Sequence, residues 1–315
     1  MTTPIVIIGG PTASGKSALA LHLAEALGGI IINADSMQVY RDLRVLTARP
    51  DDAALATVPH RLDGVLDAAD LCSAARWAEM AHAEIAAART QGHLPILVGG
   101  TGLYLRTLTQ GIAVVPEIPA HIRQAARGLH AAIGGAGFHA CLAEKDPEAA
   151  RRLHPSDSQR MIRAYEVVTA TGRGLGDWQR AAEAAPSPYA VHGIVMAPPR
   201  DLLYAAIDAR MVAMVEAGAL VEVERLVARN LAPDLPLMKA VGVPEFVRHL
   251  SGELDLDAAI ALAQQSSRRY AKRQTTWFRH QMTPMHSVDA QFSYKIAAEI
   301  CHKVRVALDG LDSDR

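Results

Sequence analysis

Four short stretches of the chain are almost uniformly apolar: Ile5-Val6-Ile7-Ile8, Gly29-Ile30-Ile31-Ile32-Asn33-Ala34, Pro95-Ile96-Leu97-Val98 and Val191-His192-Gly193-Ile194-Val195-Met196. Apolarity without polar alternation over so few residues is the pattern of a parallel strand covered on both faces. Helical spacing lies between and after them, in Ala18-Leu19-Ala20-Leu21-His22-Leu23-Ala24 and over about 73–89, 200–217, 219–229 and 257–280. In the last helix Tyr270, Gln274 and Trp277 share a face, which should be core, while Arg268, Arg269, Lys272, Arg273 and Arg279 spread over the others. The segments 47–50 and 59–62 read as loops, and 238–244 as a turn. Strands alternating with helices predict an α/β fold.

The middle of the chain breaks this rhythm. Gly111 to Pro119 reads as a crossing linker, and Ala185-Pro186-Ser187-Pro188 as a second proline-containing break. Between them only helical patterns occur, over about 120–131, 136–144, 147–153 and 156–171. A small all-helical insertion is therefore expected over 116–189, with 1–115 and 190–315 as two parts of one core. Ser156 or Asp157 caps the fourth of these helices. On it Arg160 and Arg163, three apart, lie on one side, and Met161, Ile162, Tyr165 and Val167 supply packing. Arginines so placed serve equally well as a solvated face or a binding one.

Composition narrows the setting. The 315 residues suffice for one large domain or two ordinary ones, and half of them are hydrophobic. No stretch approaches the ~20 apolar residues of a membrane span. The chain enters its first strand almost at once, without the basic and apolar regions of a targeting peptide. Cys72, Cys141 and Cys301 are far apart and form no C-x-x-C pair, as reduced thiols in a cytoplasm would. With a formal net charge of −1, any nucleic-acid contact must come from a local patch. The basic side of the 257–280 helix is one candidate phosphate track.

The candidate chemistry gathers at strand ends. Gly10-Pro11-Thr12-Ala13-Ser14-Gly15-Lys16-Ser17 has the form G-x-x-x-x-G-K-S between a strand and a helix, the context of a phosphate-binding P-loop. Its glycines let the backbone approach an anion, and the helix start favours negative charge. Lys16 can reach a terminal phosphate, and the Ser17 hydroxyl can hold Mg²⁺. The fold expected is thus a P-loop NTPase-like parallel sheet flanked by helices. Asp35 follows the second strand and should face the same crevice, as a candidate base or as a turn or capping aspartate. After the third strand, where a motor-type NTPase places a Mg²⁺-holding aspartate, stand Gly99-Gly100-Thr101-Gly102. Plain ATP hydrolysis is accordingly not expected, and Thr101 either orients a neighbour or caps the next helix.

Taken together, Gly10 to Ser17, Asp35-Ser-Met-Gln-Val-Tyr40, Pro59-His-Arg-Leu62, Val98-Gly-Gly-Thr-Gly-Leu-Tyr104, His154-Pro-Ser-Asp-Ser-Gln-Arg160 and Arg268-Arg-Tyr-Ala-Lys-Arg-Gln274 resemble the bacterial tRNA dimethylallyltransferase family. The matches run in order over nearly the whole chain. The resemblance implies transfer of the dimethylallyl group of dimethylallyl diphosphate to N6 of the adenosine immediately 3′ of the tRNA anticodon, with Mg²⁺. It implies a P-loop core with a helical insertion that grips the anticodon stem-loop. It also implies Asp35 as catalytic base supported by Thr101, with Lys16, Arg210 and the loop Gly10 to Ser17 at the diphosphate. Contact with tRNA would fall to Asp35, Ser36, Met37, Gln38, Thr101, Arg123, Gln159, Arg160, Met161, Ile162 and Arg163. The chain departs from the common pattern at Leu46, where glycine is usual, and at Val243, where an aromatic residue is usual; no cysteine/histidine zinc module follows. A cytoplasmic monomer is the expected form.

Three other readings share parts of these motifs. A prenyltransferase acting on free AMP, ADP or ATP would need neither insertion nor basic helix. A small-molecule kinase would consume ATP and phosphorylate its product. A non-catalytic RNA-binding protein would be indifferent to loss of Asp35.

Overall fold

Each apolar run becomes a strand of one sheet. In the computed structural model, which describes residues 2–181, 187–282 and 285–313, the chain begins with β1 (Thr3–Gly9), α1 (Lys16–Leu27), β2 (Gly29–Asn33) and α2 (Asp52–Thr57). The short β3 (His60–Arg61), then α3 (Ala74–Thr90), β4 (Leu94–Gly99) and α4 (Gly102–Gln110) follow. Next come four helices, α5 (Ala120–Lys145), α6 (Pro147–Arg152), α7 (Ser158–Thr171) and α8 (Leu175–Ala181). The chain then returns through β5 (Tyr189–Met196), α9 (Arg200–Glu216), α10 (Ala219–Ala228), α11 (Val243–Leu250), α12 (Leu256–Gln281), β6 (His286–Val288) and α13 (Tyr294–Ser313).

Two compact units result: Met1–Thr109 with Ser187–Arg315, and Gln110–Pro186. In the first, six strands pair in parallel in the order β3-β2-β4-β1-β5-β6. Successive side chains of a strand point to opposite faces, and both faces of this sheet are covered. Ile5 and Ile7 join a core with Trp77, Tyr104, Phe246 and Phe278, whereas Val6 and Ile8 join another with Leu19, Leu23, Ile96 and Ile300. That double cover is why the strands read as unbroken apolar runs. Asp255 and Ser73 accept backbone N–H bonds at the starts of α12 and α3, from Ala258 at 2.7 Å and Arg76 at 3.1 Å.

The second unit is all helix. Its core is Phe138, Leu142, Ala150, Met161 and Ala164. The two helices expected over 120–131 and 136–144 are both present within α5, separated by a kink at Gly134, whose φ of 70° and ψ of 175° are not helical. Asp157, of the two residues expected to cap, is the N-cap of α7. Gly111 to Pro119 has no regular structure. Ala185 and Pro186 of the second break lie outside the described residues.

Several elements have too little pattern to be seen in advance. β3 and β6 span two and three residues. The turn expected over 238–244 contains a short 3₁₀ turn, Leu237–Lys239, and then the start of α11, with Pro244 in its first turn, where proline's missing N–H costs nothing. α8 and α13 also went unassigned.

The loop carrying Leu46 is shaped from a distance. Glu222 on α10 accepts the backbone N–H groups of Arg44 (2.9 Å), Val45 (2.8 Å) and Leu46 (3.1 Å). Leu46 itself is buried beside Gly242, where an added Cβ would come within 2.8 Å of it. The bulk gained at Leu46 is thus accommodated by a residue without a side chain. Replacing Glu222 by alanine strips the shared acceptor from three amides and should cost about 3 kcal/mol, with glutamine recovering part of it. A lowered urea midpoint at unchanged slope is the readout.

Candidate active site

β1 ends at Gly9, and residues 10–17 wrap from it into α1. Gly10 and Gly15 adopt φ of 146° and 88°. A side chain at Gly10 would also lie 2.5 Å from the Met196 carbonyl oxygen, so only glycine fits. α1 has no side-chain cap. Its first amides therefore face the concavity of the loop, an arrangement that binds anions. The Ser14 hydroxyl, 1% exposed, is buried without a hydrogen-bond partner among the described residues.

Three charged side chains meet at this loop. Lys16 donates from Nζ to the Pro11 carbonyl at 3.2 Å. Arg210, from α9, donates to the Thr12 hydroxyl at 2.7 Å. Burial lowers the Lys16 ammonium to about 8; the negative charge of Asp35 opposes that and Arg210 adds to it. Burial likewise lowers Arg210, again opposed by Asp35. The two cations and the carboxylate thus feel one another in a poorly solvated space.

Asp35 is set by Asn33, which is 2% exposed at the end of β2. The Asn33 side chain accepts from the Asp35 N–H at 2.9 Å and donates to the carbonyls of Asp35 and Leu62, each at 3.1 Å. Trp77 in turn donates to the Asn33 carbonyl at 3.0 Å. One carboxylate oxygen of Asp35 accepts the Met37 N–H at 2.9 Å, so the turn role expected as an alternative is realised. Geometry of this kind fixes the carboxylate without excluding a second role for its other oxygen.

Thr101 sits directly before α4. Its hydroxyl accepts the Ser36 N–H at 2.9 Å and donates to the Ser36 hydroxyl at 3.2 Å, while its own N–H donates to the Ala34 carbonyl at 3.2 Å. It therefore steadies the Asp35 loop through Ser36. Gly99 makes this closeness possible, since a Cβ there would meet the Ala34 carbonyl oxygen at 2.0 Å.

α12 lies across the mouth of both loops. Its buried line is Ala263, Ser267, Ala271, Gln274 and Phe278; of the two aromatics expected in the core, Trp277 packs partly buried against it and Tyr270 is half-buried. Burial raises the pKa of the Tyr270 hydroxyl well above the ordinary value, as does the charge of Asp35, with the Thr101 and Gln274 side chains opposing. Gln274 accepts the Thr12 N–H and donates to the Gly100 carbonyl, both at 2.9 Å. On the other faces Arg269, Lys272, Arg273 and Arg279 are exposed, and Arg268 is paired with Asp208.

Beside the P-loop a cleft of about 180 Å³ is lined by Ser17, Leu21, Ile31, Asn33, Gln38 and Asp63 among others. Oδ1 of Asp63 is buried and has no hydrogen-bond partner among the described residues. Burial pushes that carboxyl up to about 7, opposed by Arg49 and reinforced by Asp35. A hydroxyl and an unsatisfied carboxylate oxygen in one cleft suit a hard cation such as Mg²⁺. No group of three His, Cys, Asp or Glu side chains among the described residues could hold a metal alone. Mg²⁺ commonly binds through few protein ligands, completed by water and phosphate oxygens.

The other residues expected to touch nucleic acid are placed as follows. Gln38 gives both amide hydrogens to the carbonyls of Thr47 (2.8 Å) and Ala48 (2.9 Å), and Met37 packs partly buried on the core. In the helical unit, Gln159 and Arg160 are exposed; Arg160 and Arg163 pair loosely with Asp157 (3.6 Å) and Glu166 (3.5 Å). Arg123 on α5 is half-buried, its Nε unpartnered among the described residues. Met161, expected both to pack and to touch nucleic acid, is fully buried in the core of that unit and presents no surface. Ile162 packs partly buried against the same core.

Sequence reading left Asn33, Asp63 and the clamp by Gln274 without a role. The available signal was a lone amide on otherwise apolar lines, at the end of β2 and between Ala271 and Phe278 on α12.

Comparison with known proteins gives the family. The family model described as IPP transferase matches residues 38–281. The chain belongs to the IPP transferase family. A protein of Rhodospirillum centenum named tRNA dimethylallyltransferase is 57% identical over 289 residues, covering 91% of this chain and 92% of that one. Another of that name from Paramagnetospirillum magneticum is 52% identical, covering 96% of each chain. Among solved structures, the full-length tRNA isopentenylpyrophosphate transferase of Bacillus halodurans is 32% identical with a TM-score of 0.73, covering 98% of both chains. A eukaryotic dimethylallyltransferase at 24% identity and TM-score 0.83 shares the fold.

The Lys16 environment makes a pH signature for this IPP transferase family member. Its ammonium is charged below about 8 and neutral above, so the affinity of the free protein for inorganic diphosphate should fall through that value. The slope approaches tenfold per pH unit. Calorimetric titration at pH 7, 8 and 9 checks it, with Lys16→Met binding weakly and without that slope.

Proposed function

We propose that this chain acts as a tRNA dimethylallyltransferase, moving the dimethylallyl group of dimethylallyl diphosphate to N6 of the adenosine immediately 3′ of the anticodon. The observation that carries the reading is the shared crevice: an anion cradle with Lys16 and Arg210 lies within electrostatic reach of a carboxylate that is held by Asn33 and steadied through Thr101. An anion cradle alone would serve many phosphoryl transfers. Here the turn after β4 supplies glycines and Thr101 in place of the acid that phosphoryl-transfer enzymes use for Mg²⁺.

The chemistry follows from what each group can do. In the donor, the allylic carbon is bound to a diphosphate oxygen; that bond breaks with both electrons going to the leaving group. The loop amides, Lys16 and Arg210 stabilise the charge as it develops there. When bound, Mg²⁺ supplies further neutralisation of that charge, and Ser17 and Asp63 are the residues that fit it. The exocyclic amine of adenine attacks poorly because its lone pair is delocalised into the ring. Asp35 takes the N6 proton as the N–C bond forms, a contribution of roughly 10²–10⁴-fold. The base must leave its stack to reach such a crevice. Gln159, Arg160, Arg163 and Arg123 of the inserted helical unit hold the anticodon stem-loop through its phosphates. Because the acceptor is tRNA, we place the reaction in the cytoplasm.

Incubation with unmodified tRNA and labelled dimethylallyl diphosphate, followed by nucleoside analysis, should yield N6-isopentenyladenosine and diphosphate. Brisk ATP consumption with no prenylated tRNA would overturn the reading in favour of a kinase. Asp35→Asn should keep tRNA affinity and lower turnover by roughly 10²–10⁴-fold. Arg160→Ala and Arg163→Ala should weaken tRNA binding with a shallower salt dependence, leaving donor affinity near normal.

A further inference from the structure

Gln274 joins two loops that the reaction needs at a fixed separation. It comes from α12, far along the chain from either, and is 5% exposed. Its carboxamide oxygen accepts the N–H of Thr12 in the P-loop. Its nitrogen donates to the carbonyl of Gly100 in the turn that carries Thr101. Among uncharged side chains of this length, only a carboxamide satisfies a backbone donor with one end and a backbone acceptor with the other. Contact at Gly100 is tight, since a Cβ there would lie 2.1 Å from the glutamine nitrogen. Gly100 immediately precedes Thr101 in the chain. Thr101 holds Ser36, next to Asp35. On the other side, Thr12 accepts from Arg210. A run of hydrogen bonds, with one peptide link between Gly100 and Thr101, thus leads from the diphosphate cradle to the loop of the proposed base, and Gln274 is its only link to the P-loop backbone from α12 among the bonds described.

We propose that Gln274 is a positioning residue, setting the distance between the leaving-group cradle and the Asp35–Thr101 loops. The proposal rests on the prenyl-transfer reading above. Direct displacement needs the attacking nitrogen and the allylic carbon close and in line, and a misplacement of about 1 Å costs on the order of 10²-fold in rate. Loss of a distance constraint damages the approach of the two substrates more than the binding of either one.

The test uses the intact protein with unmodified tRNA and labelled dimethylallyl diphosphate. Gln274→Met keeps size and removes both bonds. We expect kcat per active site, counted by single-turnover amplitude, to fall about 30–100-fold, with KM for donor and for tRNA each within about threefold of the original. Gln274→Glu keeps the acceptor for Thr12 and loses the donor to Gly100; we expect the same fall in kcat and, from the added negative charge, a raised donor KM. A kcat within threefold of the original in both variants overturns the proposal, as does a loss confined to donor KM in Gln274→Met. Amide hydrogen exchange supplies a readout independent of turnover: Thr12 should lose protection in Gln274→Met while Ile7 and Ile8 keep theirs. Unchanged protection at Thr12 overturns the clamp. Should the original protein transfer no prenyl group, the functional reading fails on its own, and exchange at Thr12 still decides whether the clamp exists.

Discussion

Two cations and one carboxylate share a poorly solvated crevice, and most of the α/β unit can be understood as the scaffold this requires. Burying charge costs free energy unless something compensates. Here the attraction of Asp35 for Lys16 and Arg210 offsets only part of the desolvation, since burial is the larger effect on both. An anionic ligand would complete the balance. Until it arrives, the cations rest on uncharged oxygens, Lys16 on the Pro11 carbonyl and Arg210 on the Thr12 hydroxyl. Both perches belong to the loop itself, so the cradle holds its shape without its guest.

That arrangement also suits displacement at carbon better than attack by water on phosphorus. Lys16 and Arg210, able to stabilise an expelled diphosphate, share the crevice with Asp35, a group able to take a proton from an amine. Nothing in the turn after β4 offers the acid that phosphoryl-transfer enzymes place there. The carboxylate nearest to Ser17's cleft comes instead from Asp63, beyond the edge strand β3. Relocating the acidic group to the edge leaves the centre of the sheet free for Thr101 and the glycines around it.

Much of this was legible in the residues, and the failures have physical causes. Strands covered on both faces announce themselves as apolar runs, so β1, β2, β4 and β5 were visible, whereas β3 and β6 are too short to carry any period. The P-loop, Asp35 and Thr101 were visible because strand-end chemistry is local in sequence. Asn33 and Gln274 were not, because their roles depend on partners far away: Gln274 is 262 residues from Thr12 and 174 from Gly100. Aromatics at helical spacing read as core, and Trp277 does pack on its edge, but the small residues Ala263, Ser267 and Ala271 take the fully buried line. Small side chains there bring α12 close enough for its larger ones to reach the active loops.

One consequence of that close approach concerns how the sequence can drift. α12 presents Phe278, Gln274 and Trp277 to Gly9, Gly100 and Gly102, and a methyl group at any of the three glycines would collide, at 2.3, 2.1 and 2.0 Å respectively. Helix and glycines are mould and cast. A gain of volume on either surface therefore has to be met by a shift or a loss of volume on the other.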